Sequence, residues 1–472
     1  IMFTTKHVML SAAALSAASA KAITGTNIGG WMVLEPWITP SLFYRFLDKG
    51  QKDFALDSYS LCSVLGPEEG NKLMRAHWDS WYTEDHIAAL AARGVEMVRL
   101  PIGDWTLNPY GPYVGCMDGA ADKIQWMYDT CHKHGISVLL DVHAMKDSQN
   151  GFDNSGKTSE MIWSDDSHFS HWPNAKADWI GDWNVAENKY DSINKDNIAF
   201  STKNSEDLLI KWGSHPAFAA FEPVNEPWWN TPLDTLKDFY RDVRKLTQKH
   251  APNAKFVFHN SFVYSADAWN DLFADDDHEN VVMDHHYYQA WNQGMTTTQQ
   301  FCDDYESNAK YAESFKYEVW FGEWAIATDV CAHWLGGLND GNTDPQQQCQ
   351  WVDCPKSYLP DEFAVDFDRT KDILGPFGTA SNSKNVCIQN GKCSSDSAFF
   401  NDDQVRTIAK CALKSYDAHI QGSFFWTAHN EIETRWDYIK AWDAAYINKT
   451  AVAAEVATPE QATETVELDF LQ

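Results

Sequence analysis

The sequence predicts an α/β chain folded as a (β/α)8 TIM barrel with long loops on its catalytic face, and three observations carry that prediction. Eight short runs rich in β-branched, aliphatic and aromatic residues recur along the 472 residues. Helix-like stretches separate most of them, such as 80–92 (SWYTEDHIAALAA) and 233–250 (LDTLKDFYRDVRKLTQKH). Near-continuous apolar runs divided by helices mark parallel strands covered on both sides. Polar or aromatic residues also gather at the C-terminal end of nearly every run: Asn27, Arg99, His143, Asn225 with Glu226, His259 with Asn260, His286 to Tyr288, Glu323 and Trp426. A barrel collects those ends on one face, where its active site lies.

Taken in order, residues 6–20 (KHVMLSAAALSAASA) have the basic start, apolar stretch and small-residue end of a secretory signal, so residues 1–20 are expected to be removed. The strand runs follow: AITGTNIGG (22–30), VEMVRLPIG (95–103), GISVLLDVHA (135–144), AFAAFEPVNEP (217–227), KFVFHNSF (255–262), NVVMDHHYY (280–288), YEVWFGEWA (317–325) and GSFFWTAHN (422–430). Two long inserts interrupt them. Residues 145–200 carry Trp163, Trp172, Trp179 and Trp183, and residues 326–400 carry Cys331, Cys349, Cys354, Cys387 and Cys393. Both leave catalytic-face strand ends, so both are expected to wall the site, the second tethered by local disulfides. Residues 21–450 form the catalytic domain in this reading, and 451–472 an acidic disordered tail. No later segment approaches the roughly 20 apolar residues of a spanning helix.

A formal net charge of −30 repels phosphate backbones and anionic lipid, which argues against nucleic acid and leaves a neutral or cationic substrate. The 22 tryptophans exceed what a core needs and suit flat ligands such as sugar rings. Ten cysteines behind a secretory signal fit an extracellular or cell-wall location with disulfides. Asn448-Lys449-Thr450 is a glycosylation sequon. Glu226 and Glu323, carried by the fourth and seventh runs, would face each other across the barrel mouth. Two carboxylates suffice for glycoside hydrolysis, one as acid and one as ionised nucleophile or base. No ligand-spaced Cys/His/Asp cluster appears, so no metal or cofactor is expected.

FEPVNEP (221–227) resembles the Asn-Glu-Pro acid/base signature of glycoside hydrolase family 5, and WFGEW (320–324) its nucleophile strand. TNIGGWMVLEPWITPSLF (26–43) closely resembles the opening of the fungal-type exo-β-1,3-glucanases of that family. SQNGFDNSG (148–156) matches their third-strand loop and DHHYYQAW (284–291) their sixth strand. The resemblance spans residues 24–445 and implies a retaining exo-enzyme on β-1,3-glucan, acting as a monomer. It implies Glu226 as acid/base and Glu323 as nucleophile, Asn225 on the sugar 2-hydroxyl, Arg99 keeping Glu323 ionised, His143, His286 and Tyr288 as contacts of sugar and nucleophile, and Trp426 as a platform under the cleaved sugar. Glu35 would grip the terminal glucose, with Trp37 in place of a frequent tyrosine. Phe152 and Trp291 would flank the entrance. Residues 144–147 (AMKD) and 428–431 (AHNE) depart from the family's loops. An endo-acting β-glucanase and a silent glucan-binding wall protein are the alternatives, and retention of both glutamates speaks against the second.

Overall fold

The computed structural model describes residues 21–448 apart from 48, 160–161, 164–168, 172–175, 185, 275–277, 293, 336–348, 372 and 374–387. The expected signal (1–20), the tail (451–472), two sequon residues, Trp172 and Cys387 lie outside the described residues.

Eight parallel strands close into a barrel: β1 (Ile23–Asn27), β2 (Met97–Gly103), β3 (Ser137–Ala144), β4 (Phe218–Glu222), β5 (Lys255–His259), β6 (Val281–Tyr287), β7 (Glu318–Trp324) and β8 (Gly422–Phe425). Each pairs with its chain neighbours, and β8 closes on β1. The expected helix at 233–250 spans those residues, Leu233–His250, and buries Leu236, Phe239, Tyr240 and Val243 along one stripe. The stretch 80–92 is instead the end of a long helix, Ser58–Trp81, and the start of another, Glu84–Ala92. Tyr82 is extended between them, and Thr83 caps the second helix reciprocally with His86.

Side chains of a strand alternate faces, so residues two apart share one. Met97, Leu139, Ala220, Val257, Val282, Trp320 and Phe424 form the apolar plug inside the barrel. Its volume is balanced: a Cβ on Gly25 would overlap the ring of Phe424. Two residues further along five of these strands the interior changes character, to Arg99, Asp141, Glu222, His259 and Asp284, all fully buried. Asn27, two beyond Gly25, completes this layer. A third layer follows on two strands, at His143 and His286. The polar residues thus begin one layer below the strand ends, and Arg99 lies in mid-strand rather than at the tip of β2.

The fourth run is shorter than expected. β4 stops at Glu222, and Pro223, which offers no N–H, follows it. Glu226 therefore stands four residues beyond the strand, on a loop, in the left-handed region at φ 43°.

Of the inserts, the first holds a hairpin, Gly181–Asn184 with Lys189–Ile193. The second holds a three-stranded antiparallel sheet (Cys349–Asp353, Ile388–Gln389, Lys392–Ser397). Its tethers are local, Cys331–Cys349 and Cys354–Cys393. Cys62–Cys116 and Cys302–Cys411 bind the outer layer, and Cys131 is a free thiol buried in a helix. Among the described residues no helix is long and apolar enough to cross a membrane.

Candidate active site

The strand ends open into a cavity of about 410 Å3 lined by Glu35, Trp37, Phe152, Asp153, Asn154, Glu226, Trp228, Phe262, Tyr288, Trp291, Glu323, Leu335, Trp426 and Trp436. Glu226 and Glu323 both reach it. His286 lies between them, its Nδ1 2.7 Å from Glu226 Oε1 and 3.4 Å from Glu323 Oε2. The sum of these distances caps the separation of the two oxygens at about 6 Å.

Each carboxylate is held by further donors. Arg99 Nη1 donates to Glu323 Oε1 and the Tyr288 hydroxyl to Glu323 Oε2, at 2.8 and 2.7 Å. Asn154 donates to Glu226 Oε2 at 3.0 Å. Asn225 Oδ1 accepts from Arg99 Nη2 at 2.7 Å, which turns the Asn225 amide nitrogen toward His143 Nε2. His143 Nδ1 meets Asp141 Oδ2 at 2.6 Å, and its ring stacks on Trp426 at 5.3 Å. These contacts hold the His143 ring between Asp141, Asn225 and Trp426.

Arg99 does not serve Glu323 alone, as the sequence implied. It also pairs with Glu222 at 2.8 Å and Asp141 at 3.1 Å, with Asp284 at 3.9 Å. One guanidinium divided among four carboxylates cannot neutralise all of them. Burial pushes the Glu323 carboxyl up, against the lowering effect of His286 and Arg99. Burial alone would also raise Glu226, but the hydrogen bond and charge of His286 overcome it and bring Glu226 down to about 2. The carboxylate expected to be the acid is thus drawn toward its ionised form by His286, while burial pulls the expected nucleophile the other way.

Register explains why His286 stands beside Glu323. Asp284 of β6 pairs with Trp320 of β7, but His286 pairs with Glu323 because the ladder shifts between them. Gly322 is required at this shift. Its N–H donates to Asp284 Oδ1 at 2.7 Å, and a Cβ there would overlap the Asp284 carboxylate.

At the other side of the cavity Trp37 Nε1 donates to Glu35 Oε2 at 3.0 Å, and burial, reinforced by Asp153, raises the Glu35 carboxyl well above its usual range. Phe152 and Trp291 both line the cavity, and Trp291 is 51% exposed at its rim. Trp228 packs edge-on between Phe152 and Phe262, at 5.1 and 5.3 Å. The inserts contribute unequally: the first supplies Phe152, Asp153 and Asn154, whereas Leu335 is the one described lining residue from the second. Neither departing loop lines the cavity. Lys146 lies over Tyr110 and Phe200, and Glu431 binds Ser41.

Sequence reasoning gave no role to Asp141, Glu222, His259 or Asp284. Each lies two residues beyond an apolar plug residue, and Asp141 and Asp284 each precede a site histidine by two. That alternation is the signal that could have found them. Asp153, Asn154, Trp228, Phe262 and Trp436 were also missed. Asp153 and Asn154 lie inside the recognised motif 148–156 and Trp228 directly follows 221–227, but nothing local in the sequence brings Trp436 into the cavity.

Glu226, His259 and His286 offer ligand-type atoms within 4.8 Å of one another. The histidines nevertheless do not fit a metal. His259 Nδ1 accepts the Ser261 N–H at 3.0 Å, so its proton sits on Nε2. Both His286 nitrogens are already taken by carboxylates, Nδ1 by Glu226 and Nε2 by Asp284 at 3.2 Å.

The family model "Cellulase (glycosyl hydrolase family 5)" matches residues 47–360. A "Glucan 1,3-beta-glucosidase" of Blumeria graminis is 27% identical over 429 residues, 88% of this chain and 84% of that protein. A "Probable glucan 1,3-beta-glucosidase A" of Emericella nidulans is 30% identical over 343 residues, 71% and 75% of the two chains. A "Glucan 1,3-beta-glucosidase" of Pichia angusta is 32% identical over 329 residues, 68% and 67%. The solved rutinosidase from Aspergillus niger superposes with a TM-score of 0.60 at 16% identity, covering 91% of this chain and 98% of that one, a likeness of fold alone.

Proposed function

Because the chain belongs to glycosyl hydrolase family 5, we propose that it releases glucose from non-reducing ends of β-1,3-glucan with retention of configuration. The observation that carries the exo reading is Glu35. It is buried in the same cavity as Glu226 and Glu323, with Trp37 holding one oxygen and leaving the other for a sugar hydroxyl. A carboxylate so placed grips a chain end. The cavity volume, about 410 Å3, also fits a small-ligand pocket rather than an open groove. The relatives named for 1,3-β-glucosidase activity support the linkage.

In this reading Glu323 attacks C1 and Glu226 assists departure of the leaving oxygen, then activates water against the glycosyl-enzyme. A cap of about 6 Å on the facing oxygens favours retention, for which carboxyl groups about 5–5.5 Å apart are typical. Trp426 lies under the sugar, Asn225 and His143 meet its hydroxyls, and Phe152 and Trp291 take the next unit. Secretion fits the four disulfides, with residues 1–20 as signal, 21–450 as catalytic domain and 451–472 as tail. A time course on laminarin and cellohexaose tests the reading. Glucose as the first product from laminarin, with little action on cellohexaose, is expected. Early mid-length oligosaccharides, or faster cutting of cellohexaose, would assign the chain to the endo-glucanases.

A further inference from the structure

We propose that His286 stores the proton that Glu226 delivers, so that the acid of this site is a two-residue device. The inference rests on the reading of Glu226 as acid and Glu323 as nucleophile. Four contacts carry it. Both oxygens of Glu226 accept from N–H donors, Asn154 on one and His286 on the other. A carboxylate so held takes its ionised form as long as the proton between it and His286 stays on Nδ1. Both nitrogens of His286 face carboxylate oxygens, the arrangement that an imidazolium takes. Asp284 is pinned as an acceptor by the Gly322 N–H, so the proton on Nε2 is fixed while that on Nδ1 faces the reaction.

Asp284 comes from β6 itself, Glu323 from β7, Arg99 from β2, and Glu226 from the loop after β4. His143 of β3 pairs with Asp141 of its own strand. His259 of β5 meets the His286 ring at 4.5 Å, and burial with the charge of His286 keeps it neutral. Around His286, burial opposes the charge, but Glu323 and Asp284 outweigh it and hold its proton well above the ordinary imidazole range.

The step balances. The Glu323 carboxylate forms a bond to C1 as the bond from C1 to the leaving oxygen breaks, and the electron pair stays on that oxygen. The oxygen takes a proton from Glu226, which takes the Nδ1 proton of His286. Glu323 loses its negative charge as His286 loses its positive one, so the buried cluster keeps its net charge while an ion pair is consumed. In a low-dielectric site that avoids creating a new uncompensated charge. Hydrolysis of the glycosyl-enzyme restores both charges, water supplying the proton to Glu226 and His286.

The test is the pH profile of kcat/KM. In the native enzyme on laminarin the basic limb should lie above about pH 6.5, the unperturbed imidazole value. A limb in the ordinary carboxyl range would overturn the proposal without any variant. His286→Gln keeps a donor to Glu226 but no transferable proton. It should move that limb toward acid by about one pH unit or more and slow laminarin at least tenfold. It should slow 2,4-dinitrophenyl β-glucoside, whose leaving group needs no proton, less than laminarin. An unmoved limb with equal loss on both substrates would reduce His286 to a structural role. The parent reading fails separately, if Glu226→Ala lowers kcat/KM on the dinitrophenyl substrate as severely as on laminarin.

Discussion

Glu226 and Glu323 sit in one cavity on opposite sides of one imidazole, and their separate replacement has separable consequences. Glu323→Gln should abolish turnover. Glu226→Ala should lose about 10²–10⁴-fold on laminarin, and azide should restore turnover of activated glucosides with a β-azide as product. An α-azide, read by proton NMR, would contradict the double displacement. Trp291 is half-exposed at the rim and touches Tyr288 and Trp436 edge-on. Trp291→Ala should therefore weaken longer laminari-oligosaccharides by about 1 kcal/mol, roughly fivefold, while the KM for small aryl-glucosides changes little. Equal losses on both would place Trp291 at the cleaved sugar instead.

At the level of elements, the shift between β6 and β7 brings His286 level with Glu323, and Gly322 makes room for Asp284 at that shift. Gly322→Ala should displace Asp284 from both His286 and the Gly322 N–H. Activity should fall at least tenfold, with a stability loss of about 1–3 kcal/mol, measured by laminarin assay and chemical denaturation. Wild-type activity in that variant would mean that Asp284 does not support His286. The Cys302–Cys411 bridge joins helices Thr298–Tyr311 and Asp402–His419 across 109 residues. Loops of that length gain most from a crosslink in the chain-entropy account. Replacing both cysteines by serine should cost about 2–5 kcal/mol with little change in kcat. The Cys331–Cys349 bridge spans 18 residues and should cost less.

For the whole molecule, pH should act on stability in a direction opposite to that of many proteins. Burial pushes Asp104, Asp153 and Glu431 up to about 7 each, with the charge of Asp57 adding to the effect on Asp153. In the unfolded chain the same groups titrate near 4. Between about pH 4 and 7 the folded state holds protons that the unfolded state has released, so stability falls as pH rises through that window. Self-repulsion at a net charge of −30 acts the same way. The thermal midpoint should be a few degrees higher at pH 5 than at pH 7.5. A midpoint that rises across this range would show that the depressed carboxylates dominate.

The sequence by itself determined the barrel, because eight apolar runs with helices between them admit few other architectures. It also determined the helix at 233–250, whose apolar stripe repeats at the helical period. Glu226 and Glu323 were legible because the barrel rule sends the residues that follow or end each strand to one face. Disulfide pairing, the shared duties of Arg99, the place of Trp436 in the cavity and the ionisation of Glu226 were not legible. Each depends on distances between strands far apart in sequence. The proton's position was the least accessible. It is set by a one-residue register shift, by burial and by how many carboxylates crowd a single arginine. Those quantities exist only once the strands have closed into a barrel, which sets His286 between Glu226 and Asp284.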